Sequence, residues 1–490
     1  MRPAEVRRRG KRAAPPQTVA PSVEEVMRRT ANGGWSGSNF VRGQPRGMMS
    51  RRTAGNVSGN LQTVLICTLL LTIGVICVNF SSAKRADGVG GEANRVILDE
   101  SPRYHGADGS RLLRGDPDPH AASRAGDASG RASSEYFRRF DPDLARASCV
   151  PSGSGKKVIF ITGTGGFVGF HVAQALKKQG HGILGLDNYN SYYETSLKRA
   201  RQTKLEASGI YTAEGDLADA EYIHKLLRFC PFTHVLHLAA QAGVRYAAKN
   251  PYAYVQSNLL GFVTILEEVK AMDKTLPIVY ASSSSVYGLN TKVPFSEDDR
   301  VDQPASLYAA TKKSNEMIAH TYNNIYHMSL TGLRFFTVYG PYGRPDMAYF
   351  FFTRKILEGE EIQIFQGPQG EVVMRDFTYI DDIVDGIIGS IDTAERGTKG
   401  SAQYRLFNLG NTHPEPVTTL VENLEELLNK KANKRVVPMP PTGDVLATHA
   451  NVTAAHDAFG YQPKTSLKEG LSRFVEWYTQ YYGVTLPSQA

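Results

Sequence analysis

Tyr308 and Lys312 stand four residues apart in SLYAATKKS, so on a helix their side chains share one face. A phenol with an ordinary pKa near 10 is a poor base at neutral pH, but an ammonium group beside it favours the phenolate. A phenolate held in this way can take a hydroxyl proton while the carbon bearing that hydroxyl is oxidised. Ser283, in ASSSSVYG about twenty-five residues upstream, completes the constellation. Alone, the Tyr–Lys pair would read as a solvated helix face, and its chemical meaning depends on what surrounds it.

The nearest such feature is the run Gly163-Thr164-Gly165-Gly166-Phe167-Val168-Gly169, between an apolar stretch and a helical pattern. Glycines at 163, 166 and 169 permit a tight turn and close helix–strand packing. They also let a pyrophosphate approach backbone N–H groups at a helix N-terminus, with Gly163, Gly166, Phe167, Val168 and Gly169 as its cradle. The spacing G-x-x-G-x-x-G departs from G-x-G-x-x-G, and a plain tight turn would use glycines too. Asp187, followed by Asn188, closes the next apolar run about eighteen residues after Gly169. A carboxylate there accepts from a ribose 2′-hydroxyl and repels a 2′-phosphate, which favours NAD over NADP. The cationic nicotinamide ring would then join Lys312 in favouring the Tyr308 phenolate, with hydride leaving for NAD. Asp216 and Leu217 could meet the adenine, and Leu238, Ala239 and Ala240 are small enough for a cofactor to pass near the backbone. Each of these two segments alone is more often packing or a helix cap.

The elements around these residues alternate. From about Lys156 the apolar runs KKVIFITG, GILGLDN, HVLHLAA and PIVYASSS are separated by helical patterns at 166–179, around 196–207 and around 255–271. That repetition predicts an α/β fold, a Rossmann-type doubly wound parallel sheet, with a catalytic domain over 156–485. A smaller substrate-binding region falls mostly after residue 330, where FFFTRKILEG and TTLVENLEELLNKK are helical between loops.

Upstream, residues 61–80, LQTVLICTLLLTIGVICVNF, carry no charge and are long enough to cross a bilayer as one transmembrane helix. A cleaved signal peptide would start nearer the N-terminus, and a buried core helix would show a polar face. Arg42, Arg46, Arg51 and Arg52 precede the span, against Lys84 and Arg85 after it, which keeps the N-terminus cytosolic and the C-terminal part luminal. Residues 1–60 read as a disordered basic tail and 83–150 as a flexible stem. The net charge of +8 comes from the basic tail and leaves the remainder near neutral, so a nucleic-acid partner is not expected. The four cysteines, Cys67, Cys77, Cys149 and Cys230, read as isolated thiols with no shared role, and no metal-ligand spacing appears.

GTGGFVG, Asp187, LAAQAGVR, SSSSVYG, YxxxK, RFFTVYGPYGRPDM and RDFTYIDDIVDGI together resemble the extended short-chain dehydrogenase/reductase superfamily. The resemblance is closest to UDP-glucuronate 4-epimerases, especially the membrane-anchored plant type, and covers roughly residues 156–482. It implies tightly bound NAD, Tyr308 as proton acceptor, Lys312 holding the nicotinamide ribose and the tyrosine, and Ser283 bonding the reacting oxygen. It further implies C4 oxidation to a 4-keto sugar, rotation of the sugar and reduction from its other face, which converts UDP-glucuronate to UDP-galacturonate. A Golgi membrane and a homodimer paired through helices flanking the YxxxK segment are expectations by the same analogy.

A 4-keto uronic acid is a β-keto acid and readily loses carbon dioxide, so an epimerase must control its carboxylate. UDP-glucuronate decarboxylases share most of these motifs but carry Glu where this chain has Ser285. A neutral hydroxyl at 284 or 285 donates to a carboxylate that Glu would repel. Arg344 in PYGRPDM is a candidate partner for the carboxylate, and Arg245 in QAGVRY another, although each also reads as a surface or phosphate contact. Arg375 and Asp444 look like positions that meet the UDP phosphate and ribose. The alternatives are a UDP-xylose-forming decarboxylase, a UDP-glucose 4-epimerase and a non-catalytic nucleotide-sugar scaffold.

Overall fold

The computed structural model describes Tyr136 and residues 139–487, apart from Thr442. The predicted span at 61–80, the basic tail and most of the stem lie outside the described residues. Among the described residues no helix is long and apolar enough to cross a membrane, and no cluster of His, Cys, Asp or Glu could hold a metal ion.

The first strand, β1 (Val158–Thr162), is VIFIT and buried at every position, as expected for a central parallel strand covered on both faces. Around it lie β2 (Gly182–Asp187), β3 (Tyr211–Glu214), β4 (His234–His237), β5 (Ile278–Ser283), β6 (Leu330–Phe335) and β10 (Tyr404–Leu409). Their order in the sheet is β10-β6-β5-β4-β1-β2-β3, and every pairing is parallel. The direction of winding reverses between β1 and β4. Ligands in open α/β sheets bind outside the strand carboxyl ends at such a point, and Gly163, Asp187, Leu238 and Ser283 all stand at those ends.

The sequence assigns a smaller substrate-binding region mostly to residues after 330. They return β6 and β10 to the main sheet and add β7 (Thr337–Tyr339), β9 (Met374–Tyr379) and β11 (Pro414–Pro416) as a second sheet. A third, two-stranded sheet joins β8 (Glu361–Gln366) to β12 (Asn433–Pro438). One apolar core runs from Ile159 and Phe170 through Tyr339 and Ile383 to Phe474.

Two expectations are corrected at the N-terminal edge. The end of the supposed flexible stem is a helix, α1 (Pro142–Cys149), capped by Asp141, whose carboxylate accepts from Asp143 N and Leu144 N at 3.0 Å each. Ser148 Oγ donates to Ile183 O and accepts from Tyr211 N, which stitches α1 to β2 and β3. Nor are the cysteines all isolated, because Cys149 and Cys230 form a disulfide across 81 residues of sequence. The short polar helix has few apolar anchors to mark it, and a bond between partners so far apart leaves no spacing signature.

The helix expected around 255–271 is interrupted. Val255–Leu260 forms a widened π-type turn before the regular helix Gly261–Asp273. Asn258 sits within that turn and does specific work described below.

Candidate active site

The glycine-rich turn meets the strand ends at close range. A Cβ at Gly163, whose φ is +81°, would lie 2.7 Å from Ala239 N, and one at Gly169 would lie 2.1 Å from Gly163 O. Leu238 N and Ala239 N donate to Thr162 O and Oγ1 at 3.1 and 3.2 Å, so Leu238 and Ala239 pack directly against the turn, with Ala240 following. The helix α2 (Phe167–Lys178) begins straight after Gly166 with no side-chain cap. The first-turn N–H groups of Phe167 and Val168 have no intrahelical acceptor and, with the helix dipole, suit a phosphate. Phe167 itself is 4% exposed and anchors the turn to the core.

Asp187 accepts from Gly165 N at 2.9 Å and from Tyr189 N at 2.8 Å. Burial raises its pKa, against the charge of Lys198, those two backbone bonds and Arg201. Each oxygen keeps a lone pair for a ribose hydroxyl. Asn188 Nδ2 donates to Asp216 Oδ2 at 2.9 Å, and Asp216 Oδ1 accepts from Ala218 N at 2.9 Å. Asp216 thus fixes the loop beyond Asp187, while Leu217 is buried against Gly261. The donor and acceptor set fits a dinucleotide.

Ser306 opens the next helix, accepting from Ala309 N at 3.1 Å, and that helix (Leu307–Tyr326) carries Tyr308 and Lys312 on one face. Lys312 is 3% exposed and donates to Ala281 O on β5 at 2.8 Å. Burial alone lowers its pKa to about 8. The Tyr308 side chain is partly accessible overall, but its hydroxyl is enclosed, and this burial pushes its pKa up. The Ser283 side chain and the charge of Arg344 pull it back. His237, 2.9 Å from Thr162 Oγ1, is lowered to about 3 by burial and by Lys312, so it adds no positive charge. The structure therefore brings Ser283, Tyr308 and Lys312 to one place.

Several residues that hold this group in place were not singled out from sequence. Asn258 accepts from Gln241 N and donates to Gln241 O and Thr311 Oγ1, and its carbonyl accepts from Asn315, which ties the widened turn and the 241 loop to the catalytic helix. One and two helical turns beyond Lys312 and Tyr308, on the same face, Glu316 accepts from Ser282 Oγ at 2.7 Å and forms a bidentate pair with Arg334 at 2.8 and 2.9 Å. Arg334 also donates to Tyr287 at 3.0 Å, and Tyr287 donates to Asn408 at 2.6 Å. Ser282 through Tyr287 are thereby braced, while Ser285 N donates to Ser283 Oγ at 3.1 Å. The Ser284 and Ser285 side chains remain partly accessible. Helical periodicity alone would have placed Glu316 beside the pair.

Two charged groups complete the site. Arg344 bonds both oxygens of Asp346, at 3.0 and 2.5 Å, and Asp346 also accepts from Tyr192 at 2.8 Å. Arg344 thus has an internal partner, and its field still reaches Tyr308. Arg245, Arg375 and Asp444, distant in sequence, converge. Arg245 Nε lies 2.9 Å from Asp444 Oδ2 and Arg375 4.0 Å from Oδ1. Burial, and to a smaller degree Arg245, lower the Arg375 pKa to about 10, with Asp444 opposing. Two guanidinium groups sharing one carboxylate keep surplus positive charge, which suits an anionic ligand.

The sequence profile of the NAD dependent epimerase/dehydratase family matches residues 159–410. The chain belongs to this family. UDP-glucuronate 4-epimerase 2 of Arabidopsis thaliana is 62% identical over 330 residues, 66% of this chain and 76% of that protein. UDP-glucuronate 4-epimerase 5 of the same plant is 56% identical over 373 residues, 75% of this chain and 86% of that one. Among solved structures, UDP-glucuronic acid 4-epimerase from Bacillus cereus, in complex with UDP-glucuronic acid and NAD, superposes with a TM-score of 0.60. It is 32% identical, with 66% of this chain and 99% of that chain covered.

Proposed function

We propose that this family member interconverts UDP-glucuronate and UDP-galacturonate by inverting C4, with NAD across the Gly163–Gly169 turn. The observation that carries this reading is the Tyr308 hydroxyl itself. The Ser283 side chain and the charge of Arg344 both favour its ionised form, and Lys312 stands one helical turn away, fixed by Ala281 O. A proton acceptor and a cation suited to a sugar carboxylate thus stand near one another. The identity to named UDP-glucuronate 4-epimerases supports the same substrate.

Bound NAD supplies the reversible hydride acceptor that oxidation at C4 requires. Tyr308 takes the C4 hydroxyl proton and later returns it to the opposite epimer, while Ser283 donates to the same oxygen. Lys312, fixed by Ala281 O, favours the phenolate by its charge. Arg245, Arg375 and Asp444 hold the diphosphate and ribose while the sugar turns over. Ser284, Ser285 and Arg344 keep the carboxylate bond of the 4-keto uronate out of line with the carbonyl π system, which prevents loss of carbon dioxide. Incubating the full chain in detergent with UDP-glucuronate and resolving the products tests this. UDP-galacturonate is expected. UDP-xylose would overturn the reading in favour of a decarboxylase, and binding without turnover in favour of a scaffold. Tyr308→Phe should abolish turnover, and full activity in that variant would refute the proposed base.

The protein is further proposed to be a single-pass type II Golgi membrane protein, anchored by residues 61–80 with the catalytic part luminal. The arginine-rich flank supports this orientation, and the Cys149–Cys230 disulfide is a bond that persists in oxidising compartments. Protease protection of fractionated vesicles is the test, and digestion of the C-terminal part in sealed vesicles would refute it. Exposed Tyr252, Val255, Leu260 and Met317, on the short helix Pro251–Tyr254, the widened turn and the helix that carries Tyr308, support a homodimer paired through those elements. Sedimentation equilibrium of the detergent-solubilised chain checks it.

A further inference from the structure

Arg201 lies in the middle of the helix Thr195–Ala207, whose other basic side chains are exposed at Arg199 and Lys204 and buried at Lys198. It is 0% exposed. All of its hydrogen bonds go to carbonyls and one phenol. Nη1 donates to Gly165 O at 2.8 Å and to Tyr193 Oη at 2.7 Å. Nε and Nη2 donate to Tyr342 O at 3.1 and 2.7 Å, and Nη2 to Gly343 O at 3.1 Å. One guanidinium therefore joins the glycine-rich cofactor turn to the loop that carries Arg344.

That loop needs support. Tyr342 sits in the left-handed region at φ +55°, a conformation that persists in a non-glycine residue only when its surroundings hold it there. Its ring packs on Trp477 and Phe170 at centroid distances of 4.8 and 5.0 Å. A Cβ on Gly343 would lie 1.6 Å from the Tyr349 hydroxyl, so the backbone has little room to settle elsewhere. The neighbouring segment contributes twice. Tyr193 bonds Arg201, while Tyr192 bonds Asp346, the partner of Arg344.

We infer that Arg201 is a positioning residue for recognition of the sugar carboxylate. By clamping Tyr342 and Gly343 to Gly165, it sets where Arg344 stands relative to the cofactor turn. The inference rests on the assignment of Arg344 to the substrate carboxylate. It separates carboxylate recognition, which depends on this clamp, from nucleotide recognition, which depends on Arg245, Arg375 and Asp444.

The test uses the full chain in detergent with NAD bound, carrying Arg201→Met, Arg201→Lys or Tyr193→Phe, with Arg344→Met as control. KM for UDP-glucuronate is compared with the Kd of UDP, which lacks the carboxylate. Arg201→Met should raise that KM about tenfold, the scale of one charge-assisted hydrogen bond lost, with the UDP Kd within about twofold of the parent. Arg201→Lys, which keeps the charge and some donors, should restore part of the loss. Tyr193→Phe removes a single contact and should shift the ratio in the same sense but less, which keeps the idea testable if Arg201→Met does not fold. KM and UDP Kd rising together would show a general structural role and overturn the inference. An effect of Arg344→Met without any effect at Arg201 or Tyr193 would overturn it alone. An unchanged KM in Arg344→Met would overturn the carboxylate assignment and the inference with it.

Discussion

Lys312→Met should make the NAD-free protein more stable at neutral pH while abolishing its catalysis. Burial lowers the Lys312 pKa from 10.5 to about 8, and an unfolded chain restores the ordinary value. Between those two values the unfolded state binds more protons, so stability of the parent rises as pH climbs through that window. At pH 7 both states are protonated and the buried charge costs about 3 kcal/mol, falling to about 1.4 kcal/mol at pH 9.5. Methionine removes this cost at every pH. It also forfeits the bond to Ala281 O, a loss of about 1 kcal/mol that does not vary with pH. The variant should therefore exceed the parent by about 2 kcal/mol at pH 7 and match it within about 0.5 kcal/mol at pH 9.5. Urea unfolding of both proteins at the two pH values, followed by intrinsic fluorescence, measures this. Parallel stability-against-pH curves for parent and variant would refute the claim that Lys312 is held at an energetic cost.

Asp187→Ser removes the charge expected to repel a 2′-phosphate and should move the NADP-to-NAD Kd ratio about tenfold towards NADP, read by titration calorimetry. Glu316→Gln leaves the Arg334 charge buried without its partner and should cost about 3 kcal/mol of stability in denaturant unfolding. The same variant should lower kcat more than it raises KM, because the loss of the bidentate pair with Arg334 weakens the brace on Ser282 beside Ser283. Replacing Cys149 and Cys230 by serine opens a closure spanning 81 residues, for which chain entropy predicts a loss of about 4 kcal/mol on unfolding. The kcat of that variant should not change, since neither sulfur belongs to the triad or the glycine turn.

The parallel sheet was legible because buried parallel strands read as continuous apolar runs, and VIFIT, GILGLD and IVYASS each end at a chemically marked residue. Tyr308 and Lys312 were legible for a related reason, since a spacing of four fixes a shared face whatever the rest of the helix does. What stayed hidden depends on tertiary partners. Arg201 looks like one more cation in a polar helix, and only the fold reveals that carbonyls from two distant loops surround it. Arg334 looks like an interruption in an apolar strand until Glu316 and Tyr287 are placed around it. The convergence of Arg245, Arg375 and Asp444 is likewise long-range, so each could be suspected separately, but their shared ion pair could not.

The electrostatics of the triad set a condition on when Tyr308 can act. In the ligand-free protein, burial disfavours both the phenolate of Tyr308 and the ammonium of Lys312, so Tyr308 stays a phenol while Lys312, at about 8, remains mostly charged at neutral pH. Arg344 is the charged side chain that favours the phenolate there. If a uronate carboxylate pairs with Arg344, much of that help is cancelled, because the new negative charge enters the same field. Substrate binding alone would then make Tyr308 a weaker base. The compensating positive charge would come from Lys312 kept protonated and from the cationic ring that bound NAD supplies. It follows that proton removal at C4 should depend on cofactor occupancy more steeply for an acidic sugar than for a neutral one. On the proposed reading that dependence would protect the site, since Tyr308 would gain its basicity only where the hydride acceptor needed to complete the oxidation is also present.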